Sequence, residues 1–132
     1  MVAGIRIALG EEVKVIAVEP DLAPTLNRAL ANGSPLEVPV AGVASDSLGA
    51  SVLGDIAFQV CSLGAVESVC VRESSIIEAR KFLWSEYRLA CEYGGATALS
   101  AILSGCYKPE PGERVVVVIC GAYTDPSDLL DA

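Results

Sequence analysis

The stretch VKVIAVEP, residues 13–20, gives the first strand signal of the chain. β-Branched residues dominate it up to Val18, which predicts a strand that ends at the Glu19-Pro20 pair. Two later runs also predict strands: VESVCV at 66–71, which alternates, and VVVVIC at 115–120. A continuous apolar run such as the last one is typical of a central strand in a parallel sheet, where both faces are buried.

Helical patterns separate the three predicted strands. Asp21 is predicted to cap a helix that stops at Asn32-Gly33, because glycine is a common helix end. Ser75 and Glu78 form a capping-box pattern, which predicts the start of a helix with one apolar face. The other predicted segments are a short helix at 53–62, an alanine-rich helix at 95–103, an irregular loop at 34–50 and a turn at 109–112. Strands separated by helices predict a single α/β domain over 1–132, a small three-layer domain with a mainly parallel sheet.

The composition is unusually apolar for a chain of this size. Hydrophobic residues make up 52% of the 132 positions before any of the 12 glycines is counted, whereas soluble domains reach about 45–50% with glycine included. Two explanations stand side by side: a parallel sheet buried on both faces, or apolar surface that a missing segment or a second subunit covers. No apolar run approaches the roughly 20 residues of a membrane-spanning helix, so no membrane role is expected.

Charge and residue types exclude several classes of function. The net charge is −8 and the basic residues are scattered, whereas nucleic-acid binding needs a basic stripe. The chain has no histidine, which removes histidine-dependent nucleophilic catalysis and histidine zinc sites. Its five cysteines form no C-x-x-C pair, and an odd number of free thiols in an apolar chain indicates a cytoplasmic protein.

Four short motifs stand in order along the chain: VIAVEP at 15–20, SDSLGA at 45–50, EYGGA at 92–96 and VVVVICG at 115–121. They are similar, in turn, to the V-I-G-V-E-P strand end, the A-D-G-[LI]-A loop, the E-x-x-G-A helix opening and the last strand, ending in [S/C/T]-G-G-N, of one enzyme family. The ordered set resembles fold-type II pyridoxal-phosphate enzymes of the serine/threonine dehydratase (threonine ammonia-lyase) family. Ala122-Tyr123 replaces the Gly-Asn of the last motif. The resemblance implies the C-terminal part of that family's large domain.

The start of the chain carries a further part of the resemblance. VAGIRIAL at 2–9 is similar to the family helix V-A-G-I-A-I-A-L, which follows a glycine-rich phosphate loop, and only Arg6 departs from it. The resemblance implies that the phosphate loop and the Schiff-base lysine belong to an N-terminal segment that this chain lacks. Pyridoxal phosphate is then the cofactor of the parent family, and this chain alone is expected to bind none and to be inactive. Lys14, Lys81 and Lys108 match no Schiff-base motif.

The resemblance also assigns three cofactor-binding residues and no catalytic one. Cys120 matches the position that faces the pyridine nitrogen, Glu92 matches a carboxylate near the cofactor, and Gly121 would allow close approach of the backbone to the ring. Each has a simpler interpretation: a buried core cysteine, an acidic residue at a helix start, and a strand end. Glu19 matches a cation-site carboxylate in some relatives, but Thr25 stands where an acidic partner is expected, so no metal site is assigned.

Two hypotheses follow for the function. By resemblance, the complete enzyme would convert L-threonine or L-serine into a 2-oxo acid and ammonia, and this chain would form one wall of the cofactor pocket. The alternative is a non-catalytic module derived from that fold, which associates with itself as a homodimer or binds another partner.

Overall fold

The structure is a computed structural model that describes residues 1–64 and 66–129. Two strands are separated and flanked by helices along this length. In chain order the elements are α1 (Val2–Leu9), β1 (Val15–Pro20), α2 (Thr25–Asn32), α3 (Ser45–Leu48), α4 (Asp55–Ser62), β2 (Val66–Val71), α5 (Glu73–Tyr87), α6 (Tyr93–Leu103) and a 3-10 turn at Ser127–Leu129.

A parallel pair of strands forms the middle layer. β1 and β2 run in register from Val15 opposite Val66 to Pro20 opposite Val71. Because successive side chains point to opposite faces, each strand contributes to two cores. The first core holds Ala17 of β1 with buried residues of α2 and α4, and α1 packs at its edge. The second holds Val71 of β2 with buried residues of α5 and α6. The predicted three-layer α/β architecture with a parallel sheet is confirmed.

The prediction of a third strand at 115–120 is wrong for the part of the chain that the structure describes. No strand is assigned to that run, although Ile119 packs against the cluster formed by α5 and α6. Val116 is 89% exposed, and Val115 and Val118 are also exposed. A strand exists only where a neighbouring backbone exchanges hydrogen bonds with it. The residues of 115–120 suit a buried strand, but no paired strand lies beside them among the described residues.

Helix starts also differ from the local sequence patterns. Asp21 does not cap α2, which begins at Thr25. Instead, the Glu19 carboxylate at the end of β1 accepts hydrogen bonds from the backbone N–H groups of Leu26 and Asn27, both at 2.7 Å. Gly33 ends the helix in the left-handed conformation, so the predicted stop is confirmed. The Glu19 carboxylate at the end of β1, rather than Asp21, therefore caps α2.

The capping box at Ser75 and Glu78 is likewise wrong. Helix α5 begins two residues earlier, at Glu73, and no side chain caps it. Helix α6 begins at Tyr93 rather than at 95, and the loop at 34–50 contains the single turn α3. The longest helix, α5, has 15 residues, and no helix in the described ranges is long and apolar enough to cross a membrane.

Candidate functional site

The three residues assigned from the sequence meet at the start of helix α6. Glu92 directly precedes the helix, and its backbone N–H donates to the carbonyl oxygen of Gly121 at 2.7 Å. Gly121 in turn follows Cys120 at the end of the unpaired run 115–120. Residues almost 30 positions apart in the sequence therefore form one contact, which holds Cys120 and Gly121 against the helix start.

Two glycines make this close approach possible. A side chain at Gly95, buried in the first turn of α6, would overlap the carbonyl oxygen of Cys120. A side chain at Gly121 would overlap the carboxylate of Glu92, and its φ of +73° also favours glycine. Because glycine has no side chain at these two motif positions, the backbone at 120–121 can lie against α6.

The loop at 45–50 reaches the same end of α6. A side chain at Gly94 would overlap the hydroxyl of Ser47 on α3. Gly49 lies so close to the carbonyl oxygen of Ser45 that a side chain would not fit there either. Three of the four motifs that carry the family resemblance thus converge on one helix start, although 18 or more residues separate each from the next in the sequence.

The side chains at this place offer a thiol and a carboxylate. Cys120 is exposed, so the interpretation of it as a buried core cysteine is wrong. Glu92 is half-buried beside Gly121, where it also occupies the acidic position that a helix start favours. No side chain caps α6, so the first backbone N–H groups of the helix remain available as donors. A thiol, a carboxylate and helix-start amides can together contact a polar aromatic ligand.

The lysine side chains show no sign of a prepared nucleophile. Lys14 forms an ion pair with Glu67 at 2.9 Å and lies 5.1 Å from the ring centroid of Tyr107. The hydrogen bond that Lys14 donates to Glu67 raises the pKa of Lys14 above its usual value, which keeps the amine protonated, whereas a nucleophilic lysine needs a lowered pKa. Lys81 and Lys108 are exposed.

Sequence reasoning missed Arg80, the buried charged residue next to the site. Its side chain is 3% exposed, and its Nε donates to the carbonyl oxygen of Cys91 at 2.7 Å. Its terminal nitrogens donate to both carboxylate oxygens of Asp128, at 2.5 and 3.0 Å. They also donate to the hydroxyl of Thr124 and the carbonyl of Asp125, at 2.9 and 3.1 Å.

This network shifts the pKa values of both charged partners. The hydrogen bond with Asp128 raises the pKa of Arg80, and the same bond lowers the pKa of Asp128. Tyr93 completes the network, since its ring centroid lies 4.6 Å from the guanidinium carbon and its hydroxyl donates to Asp128 at 3.3 Å. One signal was available in the sequence: Arg80 falls on the apolar face of α5, next to the buried Ala79.

Glu19, the candidate cation-site carboxylate of the relatives, serves here as a helix cap. Besides the two N–H groups of α2, it accepts a hydrogen bond from the hydroxyl of Ser68 at 3.3 Å. Burial raises the pKa of Glu19, and the hydrogen bonds from Leu26, Asn27 and Ser68 oppose that rise. The hydroxyl of Thr25 donates to the carbonyl oxygen of Ala50 at 2.6 Å.

Comparison with known proteins gives one consistent result. The family model described as "Pyridoxal-phosphate dependent enzyme" matches residues 1–121. A phenylserine dehydratase from Ralstonia pickettii is 30% identical over 128 residues, which cover 95% of this chain and 39% of the relative. A serine racemase from Arabidopsis thaliana is 28% identical over 139 residues, which cover 100% of this chain and 42% of the relative.

A solved structure agrees with these matches. The processed form of threonine deaminase isoform 2 from Solanum lycopersicum superposes with a TM-score of 0.84 at 25% identity, over 98% of this chain and 39% of that one. The chain therefore spans about two fifths of the length of the relatives that it matches.

Proposed function

The chain belongs to the pyridoxal-phosphate-dependent enzyme family, and on that premise we propose that it is the C-terminal portion of a serine/threonine dehydratase-like ammonia-lyase. In this role it forms one wall of the cofactor pocket. The observation that carries the proposal is the convergence of Cys120, Gly121 and Glu92 at the start of α6. Names of relatives support the reaction class, since they include a phenylserine dehydratase and threonine dehydratases.

The residues at the site fit an aromatic cofactor. Gly95 and Gly121 let α6 and the backbone at 120–121 touch without side chains between them, which brings Cys120 and Glu92 to the same place. The exposed thiol of Cys120 would face the ring nitrogen, and Glu92 would lie at its edge. Cysteine offers no carboxylate that would hold a proton on a pyridine nitrogen, and such an environment suits β-elimination of a hydroxyl group better than long-lived carbanion chemistry.

Each part of the proposed reaction draws on a different element. When bound, pyridoxal phosphate supplies the electron sink that lets an amino acid lose its α-proton. This chain orients the ring through Cys120 and Gly121. We propose that the lysine and the phosphate loop come from a separate segment, because no lysine of this chain matches the family motif and Lys14 is held protonated by Glu67. The substrate is L-threonine or L-serine, the products are a 2-oxo acid and ammonia, and the location is cytoplasmic.

A second candidate function is a non-catalytic module that associates with itself or with another polypeptide. Among the described residues no strand pairs with the run 115–120, and its valines at 115, 116 and 118 are exposed. This favours the second candidate, because an unpaired apolar segment is a site for strand addition. A homodimer in which two such runs pair would cover them. Sedimentation of the chain at several concentrations would show a dimer in this case.

The test of the first candidate is a pyridoxal-phosphate titration followed by absorbance, with borohydride trapping and peptide mapping. The chain is titrated alone and mixed with the part of the Ralstonia pickettii relative that it does not cover. We expect saturable binding and ammonia release from threonine only in the mixture. Cys120→Ala should weaken that binding, and Cys106→Ala, which removes another exposed thiol, should not.

Two outcomes would contradict the proposal. If the chain alone binds the cofactor, traps it on one lysine and releases ammonia, then the lysine is not supplied by a separate segment. If the mixture binds the cofactor equally well with Cys120→Ala and with Cys106→Ala, then the assigned pocket wall is wrong.

A further inference from the structure

Arg80 connects the two chain segments that meet at the candidate site. Its Nε holds the carbonyl of Cys91, the residue directly before Glu92. Its terminal nitrogens hold Thr124, Asp125 and Asp128, which follow Gly121 in the chain. Arg80 therefore holds the chain on both sides of the contact between Glu92 and Gly121: at Cys91 on one side and at residues 124–128 on the other.

We propose that Arg80 is a positioning residue that sets the separation of Glu92 and Cys120. It does so by clamping residues 124–128, here called the strap, against the connection between α5 and α6. The importance of that separation for a bound cofactor rests on the proposed function, whereas the clamp itself is a property of this chain. Arg80 touches none of the proposed cofactor-binding side chains directly in its hydrogen bonds, so its effect passes through the backbone.

The geometry requires the planar fork of arginine. One edge of the guanidinium spans both oxygens of Asp128, while Nε points the other way to Cys91. A lysine carries its three donors on one nitrogen, so it cannot pair with both oxygens of Asp128 in the fork geometry and also reach Cys91 from a separate nitrogen. The face of the guanidinium lies on the ring of Tyr93, the first residue of α6, which adds a third direction of contact.

Burial strengthens the clamp. The Arg80 side chain is 3% exposed while that of Asp128 is 49% exposed. The guanidinium is therefore shielded from water, whereas the carboxylate remains partly in contact with it. Leu129 next to Asp128 is 1% exposed, so a buried side chain follows the strap directly. When the fork is lost, the strap keeps that anchor but loses its hydrogen bonds, which frees the backbone nearest the site.

Backbone amide exchange measured by NMR tests the clamp without any cofactor. The reporter is the Glu92 N–H, which donates to Gly121. The control is the Leu26 N–H, which donates to Glu19 on the opposite face of the sheet. We expect Arg80→Lys to speed exchange at Glu92 by about tenfold or more, with little change at Leu26. Asp128→Asn removes the charge and one of the fork's two acceptor oxygens at a half-exposed position, and it should give the same pattern if Arg80→Lys fails to fold.

Equal acceleration at both amides would mean that Arg80 contributes to global stability alone, and this would overturn the proposal. No acceleration at Glu92 in either variant would overturn it as well. Since the exchange measurement needs no ligand, failure here would leave the proposed function standing. Failure of the Cys120 titration would leave the clamp standing, so the two failures are distinguishable.

Discussion

Replacement of Gly95 by alanine tests the close approach between α6 and the backbone at Cys120. In an ordinary helix interior the change from glycine to alanine stabilises a protein by about 1 kcal/mol. Here the added methyl group would overlap the carbonyl oxygen of Cys120. That oxygen belongs to the backbone, so the overlap is relieved only when the whole segment at 120–121 moves away from α6.

The magnitude follows from three opposing contributions. Overpacking costs about 1–3 kcal/mol, and loss of the hydrogen bond from Glu92 to Gly121 costs about 1 kcal/mol more. The helix propensity of alanine returns about 1 kcal/mol. We therefore expect Gly95→Ala to lower the free energy of unfolding by about 1–3 kcal/mol. In a chain of this length that corresponds to a fall in melting temperature of roughly 3–4 °C per kcal/mol.

Urea denaturation measures the change, and two glycines provide matched controls. A methyl group at Gly4 in α1 would meet no atom within 4 Å, so Gly4→Ala should stabilise the chain by about 0.5–1 kcal/mol. A methyl group at Gly94 would meet the rotatable hydroxyl of Ser47, with the Ser47 Cβ at 3.1 Å and the Leu48 Cγ at 3.2 Å, so Gly94→Ala should destabilise the chain less than Gly95→Ala. If Gly95→Ala proves as stabilising as Gly4→Ala, the segment at 120–121 does not lie against α6, and the site described above is wrong.

Two carboxylates provide further predictions. Glu19→Ala should destabilise the chain by about 1–2 kcal/mol, because the N–H groups of Leu26 and Asn27 lose their acceptor; thermal melting measures it, and an unchanged melting temperature would refute the cap. The folded-state pKa of Glu19 is raised, so stability should fall as pH rises from the ordinary pKa of glutamate to the raised one. Urea denaturation at pH values between about 4 and 8, a range that starts near the ordinary pKa of a carboxylate, measures this dependence. The free energy of unfolding should change less with pH in Glu19→Gln, and an identical profile would contradict the raised pKa. Asp128 has a lowered pKa because of Arg80, so its contribution is present above the ordinary pKa of aspartate and is lost as pH falls through the lowered value. Asp128→Asn should remove that acid-side loss, with a small amplitude because the carboxylate is half exposed; an unchanged acid limb would show that the pair adds no stability.

The sequence predicts those parts of the fold whose causes are local. β1 and β2 follow from their own apolar residues, and Gly33 ends α2 because its left-handed conformation is a property of one residue. The capping patterns at Asp21 and Ser75 failed for the opposite reason. The cap of α2 comes from Glu19 at the end of a strand, and that contact exists only after the strand and the helix have packed.

The same distinction, between local causes and contacts that form only on packing, applies to the candidate site. The order of the motifs was enough to select Cys120, Gly121 and Glu92, and their contact was then found in the structure. The role of Arg80 was beyond the reach of the sequence, because its main partner, Asp128, lies 48 residues away. Pairing over such a separation depends on how α5, α6 and the strap pack together.

The exposed valines of 115–120 have a consequence for the life of this polypeptide in a cell. An unpaired apolar segment can recruit other copies of itself into stacked assemblies, and the rate of that process rises with concentration. A chain made in excess of whatever covers these valines would therefore be captured by chaperones or degraded before it accumulates. On the proposal that another polypeptide covers these valines, the abundance of this chain would follow the supply of that polypeptide more closely than its own rate of synthesis.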